Sequence, residues 1–443
     1  MSSGAAQPGT RPTNVRWLVF ALGFGTSWLL YLHRYVLGLL KPALSKAYGW
    51  QEEELGLLDS VFSLFYAVFQ VPLGILVDLL GVHFFLAGMI LLWSVALALN
   101  AAPLGLGGMA AVRGAFGLAQ AGAYAALNRV TRLWFPLSIR TSVQGWVGVF
   151  AGRIGGASSN LIFATFLLGT LHLSWQASLQ LFAAAGVVLA VLFVLLFRDT
   201  PKRHPWANAA EVELVEGPQL TGASGGRQPP AFRALLRRTS RRSVLNLLAL
   251  NLQSFLSTVA DSIYVNWIPW FLSAVHGLQY KEMGIYSTLP LLGGACGGVA
   301  GGYLSDWLLR RTGDRRRTRQ AVGLAGKGLA GAVLLLAVVL FYRQPYHFCA
   351  LLFLVKFFSD WSPAASWGTV TDIGGRATAT VFAFNNSVAS IGMILAPPLF
   401  ALLAATSGWH TVFVVVAAVY VLCAASWLLI DCTVPVLAEE RIV

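Results

Sequence analysis

LQLFAAAGVVLAVLFVLLF, residues 179–197, decides the fold: nineteen consecutive positions carry one polar side chain, Gln180, and no charge. About 20 apolar residues in a helix cross the hydrocarbon core of a bilayer. The stretch is therefore long enough to span a membrane and too long for an ordinary strand. A membrane β-barrel would instead show segments of about ten residues with alternating polarity. Working outward, apolar runs of the same kind recur near 17–40, 55–79, 83–100, 107–134, 142–169, 178–197, 245–273, 282–304, 320–341, 346–370, 377–404 and 411–430. The 443 residues are 57% hydrophobic and only 11% charged, which excludes a soluble multidomain protein. The reading is an all-α integral membrane protein with twelve transmembrane helices.

The formal charge of +13 does not point to nucleic acid here, because the basic residues fall between apolar runs and act as topology signals. Arg11, Arg16, Arg129, Arg132, Arg140, the basic residues of 198–242, Arg310 to Arg319, Arg376 and Arg441 lie on the side of the termini. The opposite loops are read as carrying Lys41, Lys46, Lys281, Arg343 and the acidic Glu52, Glu53 and Glu54. Both termini are expected in the cytoplasm, with the chain in a bacterial inner (plasma) membrane. The first apolar run is long enough to stay in the bilayer, so no cleaved signal peptide is expected. Cys296, Cys349, Cys423 and Cys432 lie in or beside apolar runs without metal-ligand spacing, so neither disulfides nor a metal or other cofactor is expected.

The longest polar stretch, 198–244, has a Gly-, Pro-, Ser- and Gln-rich middle and reads as a cytoplasmic linker. It divides a short tail, 1–16, and a six-helix half, 17–197, from a second six-helix half, 245–430, and a tail, 431–443. Arg237, Arg238, Arg241 and Arg242 suit either membrane-lipid phosphates or topology retention. An internal repeat supports the two halves: Gly74-Ile-Leu-Val-Asp78 ends the second span, and Gly302-Tyr-Leu-Ser-Asp306 ends the eighth. Residues four apart share a helical face, so each Gly is expected to admit a close neighbour while its Asp meets a helix end or an Arg, as a gate. Repeats of this kind are common in alternating-access transporters.

The chain resembles the major facilitator superfamily and, within it, the anion:cation symporter branch that includes bacterial sugar-acid transporters, sialin and vesicular glutamate transporters. Arg113-Gly-Ala-Phe-Gly117-Leu-Ala-Gln120, Asn128-Arg129 and Trp134-Phe-Pro136 carry the likeness in span four. Phe197-Arg-Asp-Thr-Pro201 through Glu211, Trp267-Ile-Pro269, Asp306 and Thr371 to Arg376 continue it over nearly the whole chain. The resemblance implies the major facilitator fold, with spans one, four, seven and ten lining the cavity and Arg34 in the place of a substrate-binding Arg. Two departures stand out. Leu79, Leu80, Val82 and His83 follow Asp78 where the family places basic residues, and Gln120 stands where the branch commonly has a proton-coupling Glu.

An ionisable group deep in a span costs from about 3 to more than 10 kcal/mol by different scales, so each is a functional candidate. Arg34, flanked by His33, Tyr31 and Tyr35, suits a carboxylate because its planar fork donates two parallel hydrogen bonds and stays charged. Snorkelling to the interface is the alternative. Arg113, Gly117, Gln120 and Tyr124 share one face of span four; Gln120 and Tyr124 suit ligand hydroxyls, and Arg113 a gate, an ion pair or the ligand. Arg153 in the Gly-rich span five suits either a second substrate contact or a pair with Asp261. Lys356 and Asp360, one turn apart, can neutralise each other. Asp261, or Asp360, is the expected replacement for the missing coupling Glu, with His33 a weaker titratable candidate. Asn251, Gln253, Asn266, Trp361, Trp367, Asn385 and Asn386 suit hydrogen bonds or stacking with a sugar-like ring, or helix-to-helix contacts.

The chain reads as a secondary active transporter of a small organic anion, a sugar acid or related carboxylate, coupled to H+ or Na+ and working by alternating access. A uniporter or exchanger of the same fold is the alternative that Gln120 favours, and a transporter-like sensor a more distant one. Partners are the anion, the coupling ion and lipids, without nucleic acid, and a monomer is expected. No catalytic triad, metal set or phosphate loop points to an enzyme.

Overall fold

A computed structural model describes residues 11–216, 240–374 and 378–436. The middle of the linker, with Arg237 and Arg238, and the topology residues Arg376 and Arg441 lie outside the described residues. Among those described, helices occupy the twelve expected spans. Span one is Val15–Arg34 followed by Val36–Tyr48, and spans two and three are Glu52–Leu80 and His83–Leu99. Span four is Leu106–Ala121 plus Ala123–Trp134; span five runs from Leu137–Gly145 through Asn160–Leu168; span six is Trp175–Leu196. Span seven is Arg241–Asn266 plus Ile268–Ala274, and spans eight and nine are Tyr280–Thr312 and Arg315–Phe341. Span ten is Pro345–Ser359 plus Ser362–Gly374, while spans eleven and twelve share Thr378–Ser426, divided at Gly408 where φ is 79°.

Among the described residues, eight helical stretches are long and apolar enough to cross a membrane, the last of them holding two spans. Span three is shorter, and spans four and five are interrupted. Large apolar side chains such as Leu79, Phe84 and Leu195 are exposed, whereas Arg34, Lys41, Asp59, Gln120, Lys327, Lys356 and Asp360 are buried. Such an inside-out distribution is what hydrocarbon as the surrounding solvent requires. The protein is an integral, multi-pass membrane protein.

The four spans that open each group of three are all broken along their length. Span one breaks at Tyr35, span four at Gly122, span seven at Trp267 and span ten at Asp360. Proline accounts for two of the breaks. Pro269 and Pro363 carry no N–H, so the carbonyls of Val265 and Ser359 lose their helical donors. At the Gly122 break a Cβ would lie 2.9 Å from the Phe85 ring and 3.0 Å from Leu73 Cβ, so the position has room only for glycine. Broken spans put free backbone groups and polar side chains at membrane depth, where transporters commonly place their binding sites.

The described residues group into two compact units, one from 11–34, 64–156 and 174–216, the other from 35–63, 157–173, 240–374 and 378–436. In each unit an acidic residue after a sixth helix ties down the start of a first one. In the first unit Glu211 is fully buried and accepts hydrogen bonds from the backbone N–H groups of Asn14 and Arg16 and from the Arg16 guanidinium. Asp199 accepts from the N–H groups of Val82 at 2.8 Å and His83 at 3.2 Å, capping span three. The linker's first part is thus built into this unit.

In the second unit Asp431 meets Arg242 at 3.2 Å and Arg316 at 3.1 Å, while its N–H donates to Asn246. Burial raises the Asp431 carboxyl, but hydrogen bonds from Thr433 and the charges of Arg316 and Arg242 outweigh it and hold the group below the usual carboxylate range. A depressed carboxyl stabilises the fold above its unfolded value and loses that contribution as pH falls through the folded value. Asp431→Asn should therefore lower the melting temperature at neutral pH, and the gap to wild type should close below about pH 4, near the unfolded carboxyl value. Melting curves of both proteins in detergent across pH check this.

Candidate functional site

Arg34 is the last residue of the first half of span one, immediately before the break at Tyr35. Its guanidinium lies between two rings, with Cζ 5.0 Å from the Tyr31 centroid and 4.4 Å from that of Tyr66. Nε donates to Gln120 Oε1 at 3.0 Å, and Gln120 Nε2 donates to the Leu30 carbonyl at 3.2 Å, so both ends of the amide are engaged. These contacts orient the guanidinium and leave its charge in place. Tyr31 stands edge-on to Tyr124 at 6.4 Å. The Tyr124 hydroxyl is 3.1 Å from Ser27 Oγ and donates to the Gly148 carbonyl at 3.2 Å.

The glycines of span five make room for this arrangement. A Cβ on Gly152 would sit 2.7 Å from the Tyr31 ring, and one on Gly155 would run into the Trp28 carbonyl. Span five carries wider helical turns at Trp146–Phe150 and Asn160–Leu168, with Arg153, partly buried, between them. Arg113 is buried with its guanidinium 5.3 Å from the Phe116 ring. His33 is fully buried, 5.9 Å from the Phe182 ring.

The second unit holds a compact charge cluster. Lys356 Nζ lies 2.9 Å from Asp261 Oδ1 and 2.7 Å from Asp360 Oδ1, so the expected pair within span ten is present and is shared with span seven. The Tyr420 hydroxyl donates to Asp261 Oδ1 at 2.8 Å. Lys327 of span nine also faces Asp261, at 3.9 Å from Oδ2, and donates to Ser257 Oγ at 2.7 Å and Ser359 Oγ at 2.8 Å. Lys327 carries a single charge in a long Gly- and Ala-rich run, and only its position inside an expected span marks it in the sequence.

The other polar candidates mainly join helices. Asn266 donates to Ser262, one turn back. Asn385 accepts from Ser254 at 2.9 Å and donates weakly to the Leu250 carbonyl and Asn251. Asn386 is exposed, while Gln253 is buried between Ser362, Ser366 and Cys423.

The repeated Gly and Asp play unequal parts. Asp78 accepts from Arg129 at 3.0 Å, and Gly74 is in ordinary contact with Ala125. Gly302, expected to admit a close neighbour, faces open space, and Asp306 is exposed. Close approach occurs one residue earlier, where a Cβ on Gly301 would lie 2.5 Å from Trp361 Cα. The polar link likewise shifts to Ser305, which accepts from Arg319 at 3.2 Å, with Asp372 3.6 Å from the same guanidinium. A one-residue step turns a helix face by about 100°, so the second copy presents the preceding face.

Lys41 and Lys46 were expected in a loop and instead lie in the helix Val36–Tyr48; Lys281 lies in Tyr280–Thr312. Lys41 is fully buried, 2.7 Å from Asp59 and 3.3 Å from the Trp267 ring centroid. Asp59 neutralises its charge, which is why the helix continues where hydropathy alone suggests an end. Nearby, Glu52 Oε1 accepts from the indoles of Trp270 and Trp409, each at 3.2 Å. A bare Gly38 lets the Val265 carbonyl, freed by Pro269, lie over its Cα, where a Cβ would be only 2.6 Å away.

Residues 23–342 match the family model of the Major Facilitator Superfamily. A probable sulfoacetate transporter of Cupriavidus necator is 25% identical over 86% of this chain and 85% of its own length. A probable L-galactonate transporter of Escherichia coli is 26% identical over 89% and 84%, and that organism's hexuronate transporter is 25% identical over 91% of each chain. Among solved structures, a bacterial homologue of the human lysosomal transporter Spinster, inward-facing and occupied, superposes with a TM-score of 0.74 at 16% identity, covering 95% of this chain and 97% of that one.

Removing one partner of a buried ion pair leaves an uncompensated charge and costs about 3–5 kcal/mol, whereas replacing both by apolar groups is often close to neutral. Asp59→Asn alone should destabilise the protein strongly, and Lys41→Met with Asp59→Leu much less. A double-mutant cycle on unfolding in detergent measures the difference.

Proposed function

Since the chain belongs to the Major Facilitator Superfamily, we propose that it is a secondary active transporter of a small organic anion, a sugar acid or related carboxylate, driven by a proton gradient. One observation carries the reading: a buried guanidinium at a helix break, oriented by two tyrosine rings and a glutamine amide. An acid anion completes such a group with two charge-assisted hydrogen bonds. The relatives named for sulfoacetate, L-galactonate and hexuronate support an acid cargo.

Arg34 binds the acid group, with Tyr31, Tyr35, Tyr124 and Arg153 around it; Gln120 positions the guanidinium. Asn266, Asn385 and Asn386 are the second unit's candidates for cargo hydroxyls. Asp261 carries the coupling proton, with Asp360 and His33 as the alternatives and Na+ as the alternative ion. Transport follows alternating access, with Arg113, Gly74, Asp78, Gly302 and Asp306 as gating positions, both termini in the cytoplasm and the monomer as the working unit. The positive flanks of the expected spans support that orientation.

Gln120 favours a second reading, uniport or exchange, because an amide cannot take up a proton. Uptake into proteoliposomes separates the two: with galacturonate, L-galactonate and sulfoacetate as trial cargoes, an imposed inward proton gradient should drive accumulation. Arg34→Lys should reduce uptake at least about ten-fold, since a point charge replaces a bidentate fork. Asp261→Asn should abolish gradient-driven uptake; unchanged uptake and pH dependence in both Asp261→Asn and Asp360→Asn would remove the coupling assignment. Gradient-independent exchange in the wild type would establish the second reading.

A further inference from the structure

Four formal charges meet in the second unit, and they differ sharply in access. The side chains of Lys327, Lys356 and Asp360 are 0%, 3% and 1% exposed, whereas that of Asp261 is 29% exposed. Asp261 is thus the member of the set open to a proton or ion arriving from outside it. Its carboxylate touches everything at the mouth of the cluster: Lys356 and Tyr420 through Oδ1, Lys327 through Oδ2, with Ser359 at 3.4 Å. Tyr264 completes the surroundings, its ring 5.4 Å from Lys356 Nζ and its hydroxyl 3.5 Å from that of Tyr420.

Two lysines against two carboxylates balance. Protonating Asp261 removes one negative charge and leaves the set at +1. Lys356 then retains Asp360, but Lys327 retains two neutral hydroxyls, Ser257 and Ser359, and the ring of Tyr420 at 5.3 Å. A buried ammonium held by hydroxyls alone is strongly unfavourable, so an external oxyanion at the same mouth restores what the proton took away.

We propose that Lys327 and Lys356 form an anion subsite, separate from Arg34, in which the Asp261 carboxylate is a built-in occupant displaced jointly by a proton and a carboxylate or sulfonate. The proton goes from solution onto Asp261, whose neutral carboxyl turns aside, and the guest oxyanion takes its place against the two ammonium groups. The inference deepens the assignment of Asp261 as coupling residue and rests on it. Proton and anion are bound one for one because they replace a single negative charge.

The test uses the purified full chain and formate, the smallest carboxylate, with binding followed by melting-temperature shift. In wild type the apparent affinity for formate should rise roughly ten-fold per unit fall in pH between about 8 and 5, the signature of one linked proton. Asp261→Asn should bind formate independently of pH and at least about ten-fold more tightly than wild type near pH 8, while Arg34→Ala should keep the wild-type slope. In an Arg34→Ala background, where only the Lys327 and Lys356 subsite can answer formate, adding Lys327→Met to Asp261→Asn should remove the response; Lys327→Gln in the same background serves if that variant does not fold, and Asp261→Ser replaces Asp261→Asn for the same reason. A formate response in Asp261→Asn that keeps its pH slope, or no response at any pH, overturns the subsite. So does loss of all binding in Arg34→Ala. Because formate binding is read without transport, failure here leaves the Arg34 uptake test standing, and failure of that test leaves this one readable.

Discussion

Hydrocarbon offers no hydrogen bonds and almost no dielectric screening, so every charge and every freed carbonyl inside this protein must be answered by another group of the protein. That constraint explains why the buried charges come in small sets with short internal distances. Lys41 has Asp59 and the face of Trp267; Lys356 has two carboxylates; Lys327 has two hydroxyls and a carboxylate edge. It also explains where the helices break. Pro269 frees the Val265 carbonyl, and a glycine on another helix lies beneath it. Pro363 frees the Ser359 carbonyl in the turn that brings Ser359 and Asp360 against the two lysines. Breaks at Tyr35, Gly122, Trp267 and Asp360 thus concentrate polar groups in the spans that have to carry them.

The number, order and approximate limits of the spans were legible because each rests on about twenty consecutive apolar residues, a signal that no local contact is needed to complete. Arg34, Asp261, Lys356 and Asp360 were legible for the complementary reason that a charge in such a run stands out. What escaped were features made by pairing across helices. Lys41 next to Pro42 reads as the end of a helix until Asp59, eighteen positions away, is found to neutralise it. Tyr66 carries no charge and sits in an otherwise ordinary apolar helix, yet its ring lies closer to Arg34 Cζ than the ring of Tyr31 does. In the second repeat the close helix contact falls on Gly301 beside Gly302, because sequence spacing fixes which residues share a face but not which face meets a neighbour.

The repeat reaches further than the motif that first revealed it. Glu211 follows span six and binds the start of span one, and Asp431 follows span twelve and binds the start of span seven. Neither pair is visible as sequence similarity, since one uses Arg16 with backbone N–H groups and the other Arg242, Arg316 and Asn246. The shared element is an electrostatic closure of each six-helix set, in which the last helix returns a carboxylate to the first. Hydrogen bonds to a charged acceptor are worth about 1.5–3 kcal/mol each, enough to hold a segment that has left the apolar core.

Gln120 decides where a proton can act on Arg34. A glutamate at that position, 3.0 Å from Arg34 Nε, would neutralise the guanidinium whenever it was ionised and release it when protonated, coupling proton and anion at one place. With an amide there, Arg34 is aimed but never neutralised by its neighbour, and a proton can act on cargo binding only through a group elsewhere. The second unit supplies an arrangement with the required logic: a partly exposed carboxylate already engaged with two ammonium groups, so that its protonation changes the charge seen by an anion. On the proposed reading, loss of the titratable group from span four does not end coupling but moves it to span seven, and it changes the order of events. In the single-site arrangement the proton clears the way to an arginine; here it vacates a second place for negative charge.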